Sequence, residues 1–133
     1  MEVYIKSNVS AHEYYMHKYV YELGIVNIPK IIAYDHERRV LVIEKIKNMC
    51  ISDWYGAESN RIAPELFDKI RDIIKKLADN NIEYSDITGY NFIEYNNQIW
   101  IIDFEHSKVI TGKLNKFVIN FINGLNEWNP EYC

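Results

Sequence analysis

Cysteine, proline and glycine are all scarce in this chain of 133 residues, at two, three and five copies. Cys50 and Cys133 belong to no Cys-x-x-Cys or Cys/His spacing, so neither a disulfide framework nor a zinc cage organises the fold; reduced thiols in a cytoplasmic setting are expected. His12, His17, His36 and His106 are scattered without ligand spacing. The glycines form no Gly-rich phosphate loop. Long apolar runs are missing too: stretches such as Val40–Ile43 and Ile99–Ile102 fall far short of the ~20 residues of a spanning helix, so no membrane span is expected. The opening Met-Glu-Val-Tyr-Ile-Lys lacks the basic-then-apolar pattern of a secretion leader. Nor is there an excess of positive charge. Fifteen Lys+Arg against nineteen Asp+Glu give a net charge of −4, which argues against a direct electrostatic grip on nucleic acid.

What is present suits one soluble domain. A composition 48% hydrophobic and 26% charged supplies both a core and a solvated exterior, and a chain of this length buries about two thirds of its unfolded surface. Residues 3–6 read as a short strand. Ser7–Ser10 supply turn and N-cap chemistry for a helix over 11–23 that stops at Gly24. Two apolar segments, 31–34 and 40–44, flank the charged turn 35–39 and predict a hairpin, whereas 52–59 carries no clear signal. Ile62, Leu66, Ile70, Ile73, Ile74 and Leu77 recur at three and four, predicting a long amphipathic helix that ends near 79–81. Strands over 91–95 and 98–104, joined by Asn96-Asn97, and a last helix within 113–123 complete the order. The whole reads as an α+β protein of two small lobes: 1–46, a connector at 47–56, and 57–133. The Tyr14, Tyr15, Tyr19, Tyr21 cluster reads as packing with one exposed face, in preference to a base-stacking platform.

The chemistry gathers in Tyr84-Ser85-Asp86-Ile87-Thr88-Gly89-Tyr90-Asn91 and in Ile101-Ile102-Asp103-Phe104-Glu105. Phosphoryl transfer from a nucleotide needs a carboxylate to orient the acceptor and hard oxygen ligands to hold Mg²⁺ against the phosphates. Asp86 and Asn91 stand in an Asp-x-x-x-x-Asn arrangement, and Asp103 follows twelve residues later across one hairpin, which returns it towards them. A carboxylate closing an apolar strand is costly unless paired or metal-bound.

Here the sequence resembles the protein-kinase-like superfamily. The loop from Asp86 to Asn91 is similar to the catalytic loops of RIO-type kinases and of the small kinase of the tRNA-modifying KEOPS complex. Glu13, Gly24 and the stretch Ile25-Val26-Asn27-Ile28-Pro29 resemble the Glu…Gly-Val-x-x-Pro pattern of those atypical kinases, with one residue added. Val3-Tyr4-Ile5-Lys6 looks like Val-Ala-Ile-Lys, and Leu41–Ile46 looks like the strand leading into the hinge.

The resemblance implies a kinase-like fold that lacks the Gly-rich-loop strands and has a shortened second lobe. It implies ATP and Mg²⁺ as cofactors. Asp86 would serve the acceptor, Asn91 and Asp103 the metal, and Lys6 with Glu13 the α- and β-phosphates. Ile43 would be the gatekeeper, with the backbone of Glu44 and Ile46 at the adenine. Departures accompany it: Glu105 stands where the family has the glycine of Asp-Phe-Gly, and Tyr84-Ser85 replace His-Arg. Lys6 and Glu13 are only seven residues apart, which demands a very tight turn between strand and helix.

Residue by residue, plainer roles stay open. Asp86 also fits a turn cap, Asn91 a hairpin start, Lys6 a solvated strand end, and Glu13 a first-turn acid favoured by the helix dipole. For the chain as a whole two readings stand. One is a minimal phosphotransferase, atypical and serine/threonine-kinase-like, with a protein substrate or partner. The other is a binding or regulatory module that keeps the fold without turnover.

Overall fold

The computed structural model describes residues 2–132, so Cys133 lies outside it. Strand β1 (Val3–Lys6) leads into helix α1 (Ala11–Leu23), whose N-cap Ser10 accepts a hydrogen bond from the Glu13 N–H and whose end is closed by Gly24 at φ 65°. Strands β2 (Ile31–Asp35) and β3 (Val40–Glu44) form a hairpin. The Asp35 carboxylate accepts from the Glu37 and Arg38 N–H groups at 3.0 and 3.1 Å and shapes its turn. β3 lies at the centre of an antiparallel sheet of order β1-β3-β2.

A short helix α2 (Ile51–Tyr55) and a 3₁₀ turn (Ser59–Arg61) fill the stretch that carries no clear sequence signal. Helix α3 (Pro64–Asp79) buries Leu66, Phe67, Ile70, Ile73, Ile74 and Leu77, the face its periodicity predicts. It is followed by β4 (Ile82–Tyr84), β5 (Phe92–Tyr95), β6 (Gln98–Ile101), β7 (Ser107–Val109) and α4 (Lys116–Ile122). β5 and β6 pair through Asn96 and Asn97, both in the left-handed region at φ 52° and 59°, as a two-residue hairpin turn requires.

Four boundaries or elements differ from the sequence expectation. The second strand of this hairpin ends at Ile101, not at residue 104. Ile102 still donates to the Asn91 carbonyl at 3.0 Å, after which the chain leaves the ladder. α3 begins at Pro64 and leaves Ile62 outside the helix yet buried, because proline is favoured at the first helical position. α4 occupies only the middle of 113–123, with Asn115 as N-cap accepting from the Phe117 N–H. The pair β4–β7 was not expected at all: each strand has three residues, too few for a visible alternation, and the partners lie far apart in sequence.

Two apolar cores result. Val9, Leu41 and Ile43 form the small one under the sheet, with Tyr14, Ile31 and Tyr34 packed on it. The large one runs from Met16 through α3, Tyr84, Phe92 and Phe104 to Phe121 and Trp128. Among the described residues no helix is long and apolar enough to cross a membrane.

Candidate functional site

Lys6 closes β1 and Glu13 lies in the first turn of α1, so their meeting depends on the four residues between strand and helix. Asn8 adopts φ 59°, a left-handed conformation asparagine tolerates, and the Val9 N–H donates to the Arg39 carbonyl at 2.9 Å. The turn is therefore tight enough: the Lys6 ammonium pairs with the Glu13 carboxylate and also lies 3.4 Å from Asp103 Oδ2. Asp103 Oδ1 accepts the Glu105 N–H at 2.9 Å. The carboxylates of Glu13, Asp103 and Glu105 all lie within 4.8 Å of one another. Three acids packed so closely repel, and the Lys6 cation beside them offsets that repulsion.

The electrostatics follow from this crowding. Burial pulls the Lys6 pKa down, but the Asp103 charge and the Glu13 hydrogen bond outweigh it and hold the ammonium above its usual range. Burial raises the Glu13 carboxyl more than the bond to Lys6 lowers it. The Asp86 carboxyl is also raised, chiefly by burial and further by the Asp103 charge, while the nearby Asn91 amide opposes the shift.

A cleft of about 420 Å³ opens between the sheet and the β5–β6 hairpin, and Lys6, Ile43, Glu44, Ile46, Asn91 and Asp103 all line it. Glu13 and Asp86 stand just outside its lining. Glu13 lies behind Lys6, and the Asp86 carbonyl accepts from Asn91 Nδ2 at 2.8 Å. That bond leaves the Asn91 amide oxygen without a partner among the described residues. Together with the Asp103 carboxylate it makes a pair of hard oxygen donors of the kind Mg²⁺ prefers. A larger hollow of about 550 Å³, beside α3 and the loop Gly24–Asn27, holds none of these residues.

Several contributors received no role at the site from the sequence. The Tyr84 hydroxyl, fully buried, donates to the Asp103 carbonyl and fixes the chain where it turns into the cleft. Asn129 clamps the loop from behind: its side chain donates to the Ser85 carbonyl at 2.7 Å and its backbone N–H to the Ile87 carbonyl at 2.8 Å. Gly89 is required by contact, because a Cβ there would come within 2.2 Å of Ser52 Oγ and 3.1 Å of the Trp128 ring. Glu105, a departure from the family pattern, joins the carboxylate cluster. A run of acids at this spacing is the one signal that would have flagged it.

Comparison with known proteins places the fold and the family. The RIO domain model matches residues 2–116. The chain is similar to the EKC/KEOPS complex subunit BUD32 of Enterocytozoon bieneusi (strain H348), at 32% identity over 94 residues, covering 62% of this chain and 46% of that protein. It thus spans about half the length of this curated relative. Among solved structures it resembles the Rio2 kinase from Chaetomium thermophilum in its ADP/Mg²⁺-phosphoaspartate complex, with a TM-score of 0.62, 16% identity, and coverage of 86% of this chain and 36% of that one. It also resembles the Cydia pomonella granulovirus kinase PK-1, with a TM-score of 0.58, 15% identity, and coverage of 86% and 46%. These two likenesses establish a protein-kinase-like α+β fold in reduced form. With the family model spanning most of its length, the chain belongs to the RIO-domain family of atypical kinase-like proteins.

Proposed function

We propose that the chain is a minimal ATP-dependent phosphotransferase of the atypical serine/threonine-kinase kind. The observation that carries the reading is the Lys6 ammonium, held between Glu13 and Asp103 at the wall of a cleft that Ile43, Glu44, Ile46 and Asn91 also line. Lys6 would grip the α- and β-phosphates, with Glu13 fixing its rotamer. Asn91 and Asp103 would hold Mg²⁺, which when bound neutralises phosphate charge. Asp86, its carboxyl raised by burial, would orient the acceptor hydroxyl and take its proton. Ile43 would bound the base subsite. The backbone of Glu44 and Ile46 would meet the adenine edge; the Glu44 N–H donates to the Lys30 carbonyl and the Ile46 carbonyl accepts from the Asn48 N–H, which fixes this stretch.

A protein partner is part of the proposal, supported by the likeness to a protein named as a complex subunit. The second reading, a binding or regulatory module without turnover, is favoured by Glu105, which stands where the family has the glycine of Asp-Phe-Gly and adds a third carboxylate beside Asp103.

Titration with ATP and Mg²⁺ followed by thermal melting tests the first reading, because a ligand that binds only the folded state raises the melting temperature. Wild type should be stabilised and Asp103→Ala should not. Absence of any shift at millimolar nucleotide would discard nucleotide use. A shift without label transfer from γ-labelled ATP, in wild type as in Asp103→Ala, would favour the module.

A further inference from the structure

The loop that carries Asp86 is held by a segment, 128–132, that lies beyond the part of the chain the RIO domain model matches. Asn129 is buried and uses both atoms of its side-chain amide. Nδ2 donates to the Ser85 carbonyl at 2.7 Å and Oδ1 accepts from the Glu131 N–H at 3.1 Å, which fixes the orientation of the amide. Its backbone N–H donates to the Ile87 carbonyl at 2.8 Å. One residue thus grips the chain immediately before and immediately after Asp86. The side-chain bond does not rescue an orphaned group, since the Ser85 carbonyl already accepts from the Ile87 N–H at 2.8 Å. A carbonyl with one donor costs little to leave without a second, so the Asn129 amide adds direction at this point more than stability. Its neighbours extend the hold. The Trp128 ring stands against Gly89 and rests on Phe67, 4.8 Å between ring centres. The Tyr132 hydroxyl lies 3.2 Å from Ser85 Oγ, and its ring centre lies 4.9 Å from that of His106. Ser85 Oγ in turn donates to the His106 carbonyl at 3.3 Å. The segment therefore ties the loop of Asp86 to the stretch that follows Asp103.

We propose that Asn129 is a positioning residue for Asp86: by holding both flanking carbonyls it sets the distance and angle at which the Asp86 carboxylate meets an acceptor hydroxyl, with Tyr132 as a second hold. The inference rests on the phosphotransferase reading above and deepens it, because it separates placement of the acceptor from binding of the nucleotide. Lys6, Asn91 and Asp103 serve nucleotide and metal in that reading. Among the described residues their side chains bond to one another or to Glu13, Asp86 and Glu105, and not to Asn129 or Tyr132. Loss of the hold should therefore slow transfer and spare nucleotide affinity, since a small misplacement of a reacting group is costly to rate while leaving distant contacts in place.

The test measures label transfer from saturating γ-labelled ATP to the chain itself and to casein as a probe acceptor, ATP affinity by calorimetry, and thermal melting. It compares wild type with Asn129→Ala, Asn129→Asp, Tyr132→Phe and Val118→Ala. Both Asn129 variants should slow transfer on the order of tenfold or more at unchanged ATP affinity. Tyr132→Phe, which removes one hydroxyl from a partly exposed ring, should melt as wild type and slow transfer by less. Val118→Ala truncates the same core and makes none of these hydrogen bonds, so it should lower the melting temperature and keep wild-type transfer below it. Wild-type transfer in the Asn129 variants overturns the role. An equal loss in Val118→Ala also overturns it, by tracing the effect to general loosening, and a parallel loss of ATP affinity does the same by placing the effect at the nucleotide. Should neither Asn129 variant melt cooperatively, Tyr132→Phe decides: slower transfer at unchanged affinity supports the hold, and wild-type transfer overturns it. Wild type that transfers no label overturns the phosphotransferase reading, and the role falls with it.

Discussion

The sheet lobe and the helical lobe are held by different means. Among the described residues, the cluster beneath the sheet encloses just Val9, Leu41 and Ile43, whereas the other core is continuous from Met16 to Trp128. The sheet compensates with directional contacts: Tyr14 stacks on Tyr34 at 4.3 Å between ring centres, and the Tyr34 hydroxyl donates to the Val9 carbonyl at 2.6 Å. Helix α1 belongs to both lobes. Tyr14 packs on the small core, while Met16 and Val20, further along the helix, are anchored in the large one. Glu13 sits at that junction, so the position of Lys6 is governed by a helix whose stability comes mainly from the far lobe. The difference teaches that a small lobe can hold charged groups accurately when their support is anchored in a larger body.

The contrast can be broken most directly in the cores. Phe67→Ala should cost about 3–5 kcal/mol of unfolding free energy by urea titration, and Leu41→Ala nearer ~2 kcal/mol, because a small cluster collapses more easily around a lost side chain. Equal losses would mean that the lobes do not differ in this way.

Next in size is Lys6→Met, which leaves Glu13, Asp103 and Glu105 without their cation. At pH 7.5 it should lose about 2 kcal/mol, below the ~3–5 kcal/mol of a fully buried pair because Lys6 is partly solvated. The Glu13 carboxyl, raised in the folded state, favours folding when protonated, so this loss should shrink as pH falls through its raised pKa towards the usual glutamate range. A deficit independent of pH would show that lost packing, not charge crowding, is responsible.

The smallest effect concerns His17, which is buried and bonded through Nε2 to the Pro29 carbonyl at 2.8 Å. Burial holds its pKa below the usual value, with the Lys6 charge adding to the shift. A histidine depressed in the folded state takes up its proton more readily when unfolded, so stability falls as pH drops below about 6.5 towards the depressed folded pKa. Thermal melts between pH 7.5 and 5.5 should show that decline, and His17→Gln should flatten it. An unchanged slope in the variant would assign the decline to other groups.

Much of this was legible in the chain itself. Ser10 and Gly24 mark the ends of α1, the apolar spacing from Leu66 to Leu77 marks α3, and Asn96-Asn97 marks a two-residue turn, because each depends on neighbours within a few residues. The spacing of Asp86, Asn91 and Asp103 is local in the same way, since one hairpin separates them; Asn91 and Asp103 line one cleft, with Asp86 just outside it. The β4–β7 pair, the Asn129 clamp on the loop that carries Asp86 and the Tyr84 bond to Asp103 were invisible, since each joins residues with no shared local pattern.

The sequence by itself determined the order of the major elements, the faces they bury and the family they belong to, because periodicity, caps and a short motif are local properties of the chain. Only the tertiary structure decided that Lys6 reaches both Glu13 and Asp103 and that Glu105 joins them. Those relations depend on how a strand, a helix and a distant hairpin pack, and packing is set by long-range contacts that no stretch of a few residues contains.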